Sequence, residues 1–394
     1  MKILYVTNTS YEGGSTIALV NIIRGMKQFG HEIFVLTNSN KGFLYELLSD
    51  VDVKIFSCNY CLTIYPLDKN PVKYIYGFFL HFYWWYNAKR YIGKIIDEYN
   101  IDIVHTNVGP LDLALSECVK RGIPHVWHQR EFFDKFCSTS LFPNNKYFYD
   151  RIQTKGNYNI CITRQVLDNC RLSENFCNGD DAWALKYIIL LWLPWSFSAF
   201  CCRKRESKEK YILFVGRVEP NKGLDDLLLA FADFNKKYPK FTLKVVGSYN
   251  DSSLYFKTCK RIINEYSLQN SVNFLGSRTD IYLLMAHAQA LVVASHFEGF
   301  GFATVEAMIN KTIVIGRNTS GTKEQFDIGL NLTGQEIGFR FSNKEQLQKE
   351  LCEIVEKDNA TMIRNAYKVA SELYTVEKCV DFINKLYIDC IKKE

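Results

Sequence analysis

The sequence has no large excess of charge of either sign, and its first residues lead us to expect no secretory leader. Its 48 Lys and Arg residues oppose 42 Asp and Glu residues, which leaves a net charge of +6. So small an excess argues against nucleic acid as a partner, and it fits a phosphorylated substrate or an anionic membrane surface better. The chain opens with MKILYVTNTS, which enters a predicted strand at once. We therefore expect a cytoplasmic location, which includes the inner face of the membrane.

The thirteen cysteines lack the spacing of a metal site or of a disulfide framework. Cys58 and Cys61 form a C-x-x-C motif, but no second pair follows at zinc-finger spacing. The odd count and the irregular spacing predict reduced thiols that pack as small apolar side chains. We expect no metal ion and no cofactor.

Apolar runs alternate with amphipathic segments along most of the chain, as in parallel α/β proteins. KILYVTN, a glycine-containing loop, a helical segment and HEIFVLTN form one βαβ unit, and IDIVHTN and PHVWHQ add two strands. The same pattern restarts at KYILFVGR. We predict a Rossmann-like domain over residues 1–175, a second parallel α/β domain over residues 208–375, and a C-terminal helix over residues 376–394 that packs back on the first domain.

Residues 72–96 break this rhythm because they are dense in aromatic side chains. The stretch also contains basic residues, namely Lys73, Lys89, Arg90 and Lys94. A core helix is the favoured interpretation, and an interfacial helix that makes peripheral membrane contact is the alternative.

Residues 183–202, WALKYIILLWLPWSFSAFCC, form a second apolar stretch within the predicted linker 176–207. Pro194 and two serines interrupt it, and a membrane span here would separate the two domains. We therefore favour an irregular linker over a transmembrane helix, with a patch that lies on the membrane surface as a third option.

The turn after the first strand of the second domain, FVGRVEPNKG, suits a diphosphate. Gly216 ends the strand, Arg217 follows, and Lys222 and Gly223 precede the next helix. Backbone amides and two fixed cations converge in one loop, and the arginine can bind two oxygens at once. Two solvated loop cations are the alternative interpretation.

The segment SHFEGFGFATVEAM has the same strand, loop and helix form. Glu298 falls in the loop and Glu306 inside the helix, while Gly299 and Gly301 allow close approach of the backbone to a ligand. Both acids can face one ligand site at the carboxyl ends of parallel strands. An E-x7-E pair alone is weak evidence, since such spacing is common by chance.

Together these two motifs resemble the retaining glycosyltransferases of family 4, which have the GT-B fold of two facing Rossmann-like domains with parallel sheets and a deep cleft between them. The resemblance covers residues 210–340 closely and residues 1–40 and 100–130 loosely. It implies transfer of a hexose-like sugar, with retention of configuration, from a nucleotide diphosphate sugar to a saccharide or lipid-linked saccharide. Surface polysaccharide or lipopolysaccharide assembly is the implied process.

The resemblance also implies roles for individual residues. Arg217 and Lys222 would hold the diphosphate and stabilise its charge as it leaves, without a metal ion. Glu306 would accept hydrogen bonds from the ribose, and Glu298 would lie beside the donor sugar, as an open candidate for catalysis. The remaining implied donor-site residues are Gly216, Gly299, Phe300, Gly301, Phe302 and, near the base, Arg278.

In the first domain the resemblance is weaker. The family's usual histidine is absent from its position in PHVWHQREF, so either His128 substitutes for it or Arg130 and Glu131 do. The loop YEGGST would lie beneath the diphosphate and the acceptor. The implied residues on this side are Gly13, Gly14, His105, His128, Arg130 and Glu131.

Two other functions compete with a transferase. A catalytically impaired subunit that binds or scaffolds a nucleotide sugar fits the missing histidine, and donor binding without turnover would identify it. A nicotinamide dehydrogenase is excluded, because TNTSYEGGST is not G-x-G-x-x-G. HEIFVLTN also ends in Thr37 and Asn38 without the acid that would hold a ribose.

Overall fold

The computed structural model describes residues 1–8, 14–66, 70–130, 132, 139–141, 144–172 and 208–393. They form two compact units. The first contains the described residues up to 172 and a C-terminal helix, and the second contains residues 208–375. Gly13, Glu131 and the linker predicted over 176–207, with its apolar stretch 183–202, lie outside the described residues.

The first unit is built on a parallel sheet. In the order of pairing, its strands are β3 (Lys54–Ser57), β2 (Glu32–Thr37), β1 (Lys2–Thr7), β5 (Ile103–Thr106), β6 (His125–Gln129) and β8 (Asn157–Cys161). β4 (Ile64–Pro66) and β7 (Thr139–Leu141) form a separate antiparallel pair. The helices are α1 (Gly14–Gln28), α2 (Phe43–Leu47), α3 (Pro71–Tyr99), α4 (Leu115–Arg121), α5 (Asn145–Ile152), α6 (Arg164–Asn169) and the C-terminal α14 (Val376–Lys392).

The second unit repeats this plan. Its parallel strands pair in the order β11 (Val272–Gly276), β10 (Thr242–Val246), β9 (Tyr211–Val215), β12 (Ala290–Val293), β13 (Ile313–Arg317) and β14 (Phe339–Phe341). The helices are α7 (Leu224–Lys237), α8 (Leu254–Glu265), α9 (Ile281–His287), α10 (Phe302–Ile309), α11 (Ser320–Thr333), α12 (Lys344–Glu356) and α13 (Ala360–Leu373). The central strands are buried on both faces, which explains why they read as continuous apolar runs.

Helix α14 packs on the first unit although it follows the second unit in the chain. A Cβ atom at Gly25 of α1 would lie 2.4 Å from Val380 Cγ1, so the two helices approach more closely than any larger residue allows. His31 Nε2 lies 2.7 Å from Asn384 Oδ1. These contacts place α14 against α1.

Helix α3 corrects the interpretation of residues 72–96 as a simple core helix. Asn70 caps its first turn by accepting hydrogen bonds from two backbone amides, and Pro71 occupies the first helical position. Only the second half lies in the core, where Ala88, Ile92 and Ile96 are buried. The first half leaves most of its apolar side chains exposed. Among the described helices, none is both long enough and apolar enough to cross a membrane.

Candidate functional site

The candidate site of the second unit lies at the carboxyl ends of two neighbouring strands. β9 and β12 pair with each other, and the strand order runs in opposite directions on either side of them. Ligands of open parallel sheets bind at such a switch point, where the following loops diverge. The loop after β9 carries Arg217 and Lys222, and the loop after β12 carries Glu298. The strand order therefore brings the two predicted motifs together.

The loop after β9 turns sharply to reach β12. A short helical turn, Pro220–Lys222, ends at Gly223, whose φ of 64° favours glycine. A Cβ atom there would lie 2.3 Å from the carbonyl oxygen of Ala294, so the chain passes directly against the end of β12. The exposed Arg217 extends to solvent, with Nη1 2.9 Å from Glu219 Oε1.

Lys222 and Glu298 form an ion pair, which the motifs alone do not predict. Lys222 Nζ lies 2.6 Å from Glu298 Oε1, and both side chains are largely buried. Ser295 Oγ donates to the same oxygen at 2.6 Å. Lys222 and Ser295 both donate to Oε1, and Oε2 of Glu298 accepts no hydrogen bond from the described residues. The loop thus presents a positioned carboxylate oxygen beside a partly neutralised cation.

Asn221 joins the two loops through the backbone. Its side-chain amide donates to the Phe297 carbonyl at 3.1 Å, and its side-chain oxygen accepts from the Phe297 amide at 3.3 Å. The His296 amide also donates to the Asn221 carbonyl at 2.8 Å. These paired bonds hold the neighbouring Lys222 and Glu298 in register. The motifs did not single out Asn221 or Ser295, although Asn221 adjoins Lys222 and Ser295 begins the segment SHFEGFGFATVEAM.

Glu306 lies in the second turn of α10 and is half-buried. Burial raises the pKa of its carboxyl to about 7, and a hydrogen bond from Tyr282 of α9 opposes that shift. The same burial and the negative charge of Glu306 raise the pKa of the Tyr282 hydroxyl. A carboxyl that titrates near neutral pH can change its hydrogen-bonding capacity under physiological conditions. Sequence reasoning missed Tyr282, which no spacing rule links to Glu306.

The glycine-rich loop after Glu298 is held by helix α11. Gln325 Nε2 donates to the Phe300 carbonyl at 2.7 Å, and the Gly321 amide donates to the Glu298 carbonyl at 3.3 Å. A Cβ atom at Gly321 would lie 2.1 Å from the Phe300 carbonyl oxygen. The segment TSGTKEQ after β13 is thus a third loop of the site, which the sequence motifs did not identify even though it too follows a strand and opens a helix.

The predicted loop residues differ in their surroundings. The Phe300 ring is buried, and its centre lies 5.1 Å from the ring centre of Phe302 and 5.8 Å from that of Tyr374. The Phe300 side chain therefore anchors the loop. Gly301 adopts φ 85° and caps α10. Arg278 lies after β11 and binds Asp280 through two nitrogens, at 2.8 and 2.7 Å. Among the described residues, the side-chain hydrogen bonds of Arg278 go to Asp280 and not to another predicted site residue.

The first unit contains a buried polar cluster at the corresponding ends of β5 and β6. Arg130 donates to the backbone carbonyl of Asn107 at 3.2 Å and to its side-chain oxygen at 3.0 Å, and Arg130 Nη2 lies 3.3 Å from His128 Nδ1. His105 Nδ1 lies 2.5 Å from the hydroxyl of Tyr387 on α14. The rings of His105 and His128 are 5.5 Å apart. The structure thus brings together three of the residues predicted for this side.

Burial governs the protonation of this cluster. It lowers the pKa of both His105 and His128 well below the usual value, and the positive charge of Arg130 lowers them further. The Nε2 atoms of both rings are buried without a hydrogen-bond partner among the described residues. Burial therefore favours two neutral imidazoles beside one guanidinium.

The predicted glycine loop is described only in part. Gly14 begins α1 and is exposed, whereas Gly13 and Glu131 lie outside the described residues. Asn107 Nδ2 lies 3.5 Å from the Ser15 carbonyl, which links the start of α1 to the Arg130 cluster. His125 is buried between Thr106 and Asn157, with hydrogen bonds of 2.8 and 2.7 Å.

Comparison with known proteins gives matches along most of the chain. Residues 203–369 match the family model of glycosyl transferases group 1, and residues 12–172 match that of glycosyltransferase family 4. An uncharacterized glycosyltransferase of Methanocaldococcus jannaschii is 23% identical over 392 residues, which cover 96% of this chain and 95% of that protein. The alpha-monoglucosyldiacylglycerol synthase of Acholeplasma laidlawii is 22% identical over 418 residues, which cover 96% and 94% respectively.

Solved structures share this fold. The crystal structure of Anabaena HepE in complex with UDP superposes with a TM-score of 0.73 at 19% identity, over 99% of this chain and 100% of that one. Two six-stranded parallel units with a loop site at a switch point define a protein of the GT-B fold class. Within that class, the chain belongs to the group 1 glycosyltransferases.

Proposed function

We propose that this glycosyltransferase takes a nucleotide diphosphate sugar as donor and transfers the sugar, with retention of configuration, to a saccharide or lipid-linked saccharide. The observation that carries the proposal is the pairing of Lys222 with Glu298 at the switch point of the second unit. It joins a cation for phosphate to a carboxylate for sugar hydroxyls in one loop system. The HepE structures solved with UDP and with UDP-glucose support this class of donor.

The diphosphate would bind between the two cations of the first loop. Lys222 has three N–H donors and uses one on Glu298, so others are free to turn toward an anion. Arg217 is exposed, and its guanidinium can release Glu219 and bind two phosphate oxygens instead. These cations would stabilise the leaving diphosphate, so the proposal needs no metal ion.

The two acids would bind hydroxyl groups. Glu298 Oε2 would accept from the donor sugar, and its negative charge would stabilise positive charge at the reacting carbon. Glu306 would accept from the ribose, while the amides of Phe300, Gly301 and Phe302 bind sugar or phosphate oxygens. Arg278 would release Asp280 and bind the nucleotide base instead. Gly216 and Gly299 keep the backbone close to the ligand.

The first unit would contribute to the acceptor side. The unpartnered Nε2 atoms of His105 and His128 would bind hydroxyl groups, oriented by Arg130. Gly13, Gly14 and Glu131 would line the acceptor. Retention follows if the acceptor attacks the face that the diphosphate leaves, a reaction that depends on positioning and charge stabilisation. We propose that the acceptor belongs to surface polysaccharide or lipopolysaccharide assembly.

A panel of nucleotide diphosphate sugars, screened by thermal shift and then for transfer, tests this proposal. The preferred donor should raise the melting temperature, because it binds only the folded state. Lys222→Ala should lower turnover by about 100-fold or more, and Glu306→Ala should weaken donor binding. Lys257→Ala, which removes an exposed lysine of α8, is the matched control.

Near-normal transfer by both Lys222→Ala and Glu306→Ala would show that the site is misassigned. Donor binding without transfer to any acceptor or to water would instead indicate a subunit that binds nucleotide sugars without catalysis.

A further inference from the structure

The first half of α3 carries an apolar stripe that remains exposed to solvent. We call it the α3 stripe, and its side chains, which are 47–74% exposed, are Val72, Ile75, Tyr76, Phe79, Phe82, Tyr83 and Tyr86. Steps of three and four residues place them on one face of the helix. At 1.5 Å per residue the stripe is about 21 Å long. A contiguous exposed apolar surface of this kind marks an interaction site rather than ordinary surface.

The opposite face of α3 is fixed to the first unit, so the stripe cannot turn inward. Trp85 Nε1 donates to the Asp112 carbonyl at 2.8 Å, and Lys89 Nζ donates to Ser116 Oγ at 2.9 Å. The Lys89 ammonium also lies 3.5 Å from the centre of the Trp85 ring. The core side of the helix is thereby held, and the stripe faces away from it.

Basic residues continue the same face. Arg90 and Lys94 follow Tyr86 at intervals of four residues, are exposed, and make no ion pair with any described residue. No Asp or Glu occurs from residue 70 to residue 96. The first acid of the helix, Asp97, is occupied by Arg121 at 2.6 Å. Aromatic and cationic side chains therefore share one face without a compensating negative charge.

We propose that the α3 stripe is a docking surface for an anionic lipid bilayer. Its aromatic rings would enter the boundary between headgroups and acyl chains, while Arg90 and Lys94 bind lipid phosphates. Tyrosines suit this boundary because their rings are apolar and their hydroxyls remain hydrated. A second copy of the chain fits less well, because this face of the helix offers no acid to neutralise the cations that an interface would bury.

Sedimentation of the full chain with vesicles tests this surface independently of sugar transfer. Vesicles of equal phosphatidylglycerol and phosphatidylcholine should bind the protein at least about tenfold more tightly than vesicles of phosphatidylcholine alone. Phe79→Glu/Tyr83→Glu should weaken binding to the anionic vesicles about tenfold or more. The matched control is Leu254→Glu/Leu332→Glu, since these leucines of the second unit are also exposed, at 83% and 61%.

A second pair of variants isolates the charge. Arg90→Glu/Lys94→Glu should weaken binding about tenfold or more, whereas Lys240→Glu/Lys257→Glu, with the same change in net charge, should leave it within about twofold. Circular dichroism and the melting temperature verify that each variant is folded.

Equal binding to both vesicle types, or undiminished binding by Phe79→Glu/Tyr83→Glu, would overturn the proposal. A dimer in sedimentation velocity that this variant dissolves, without vesicle binding by the unaltered chain, would overturn it in favour of a second copy. Because no donor is present, these outcomes leave the proposed transfer reaction untouched.

Discussion

Replacing Glu306 by glutamine should stabilise the second unit at neutral and alkaline pH. Burial raises the pKa of this carboxyl from 4.5 to about 7 in the folded chain. A carboxyl with a raised pKa binds more protons when folded than when unfolded, so the free energy of unfolding falls as pH rises from about 4.5 to about 7. Above about pH 7 the free energy of unfolding falls no further. The glutamine of Glu306→Gln does not ionise, so this variant should keep the stability that the unaltered chain loses.

The magnitude follows from the size of the pKa shift. At 1.36 kcal/mol per unit, a rise from 4.5 to about 7 corresponds to roughly 3 kcal/mol of lost stability above pH 7. For a domain of this size, 1 kcal/mol moves the melting temperature by about 2–4 °C. We therefore expect Glu306→Gln to melt roughly 6–12 °C above the unaltered chain at pH 8, and close to it at pH 4.5 and below.

Thermal melts of both proteins between pH 4.5 and 8 measure this difference. Glu372→Gln, at an exposed glutamate of the same unit, is the control and should follow the unaltered chain at every pH. On the proposed function, Glu306→Gln should also bind UDP more weakly, because a ribose hydroxyl loses its charged acceptor. Parallel melting curves for Glu306→Gln and the unaltered chain would refute the reasoning, since they would mean that Glu306 ionises as freely folded as unfolded.

Two further predictions concern the loops around this site. Ser295→Ala should lower kcat about tenfold, because Glu298 loses a hydrogen bond to its charged oxygen. Ser295→Thr keeps the hydroxyl and should restore most of the kcat. Steady-state kinetics measure both effects, and an unchanged kcat in Ser295→Ala would contradict the role of Ser295. Gly223→Ala should lower the free energy of unfolding by more than about 2 kcal/mol, since the new Cβ meets both a positive φ and the Ala294 carbonyl. Gly334→Ala, with φ 70° and open space around it, should cost only about 1 kcal/mol in the same denaturation experiment, so equal losses would show that the close approach is unimportant.

Central strands could be predicted from the sequence, but most edge strands could not. KILYVT and YILFV are apolar throughout because helices cover both faces of the sheet where they lie. β3, β8 and β14 lie at sheet edges, and β3 and β14 are short and only partly buried. Their residues therefore carry no continuous apolar run. Helix α3 was predicted as a helix, but its high aromatic content does not indicate which half of it is buried against the rest of the unit.

The loop motifs likewise identified residues without identifying their partners. Lys222 and Glu298 stand 76 positions apart, and only the adjacency of β9 and β12 makes them an ion pair. Ser295 and Tyr282 act on the two glutamates through contacts that no spacing rule contains. Sequence spacing could group residues within one loop, whereas strand order groups residues of different loops.

The sequence alone predicted that the chain forms two parallel α/β units, that one loop suits a diphosphate and that a second loop faces the same kind of ligand site. These conclusions depend on local features, namely the periodicity of apolar residues and the placement of glycines and cations after strands. The packing of α14 on the first domain was predicted, but only the tertiary structure shows which side chains make the contact. Tyr387 lies against His105, which is 282 positions away in the sequence. The tertiary structure also decided that the α3 stripe is exposed. Such facts depend on which surfaces pack together, and packing is a property of the folded chain as a whole.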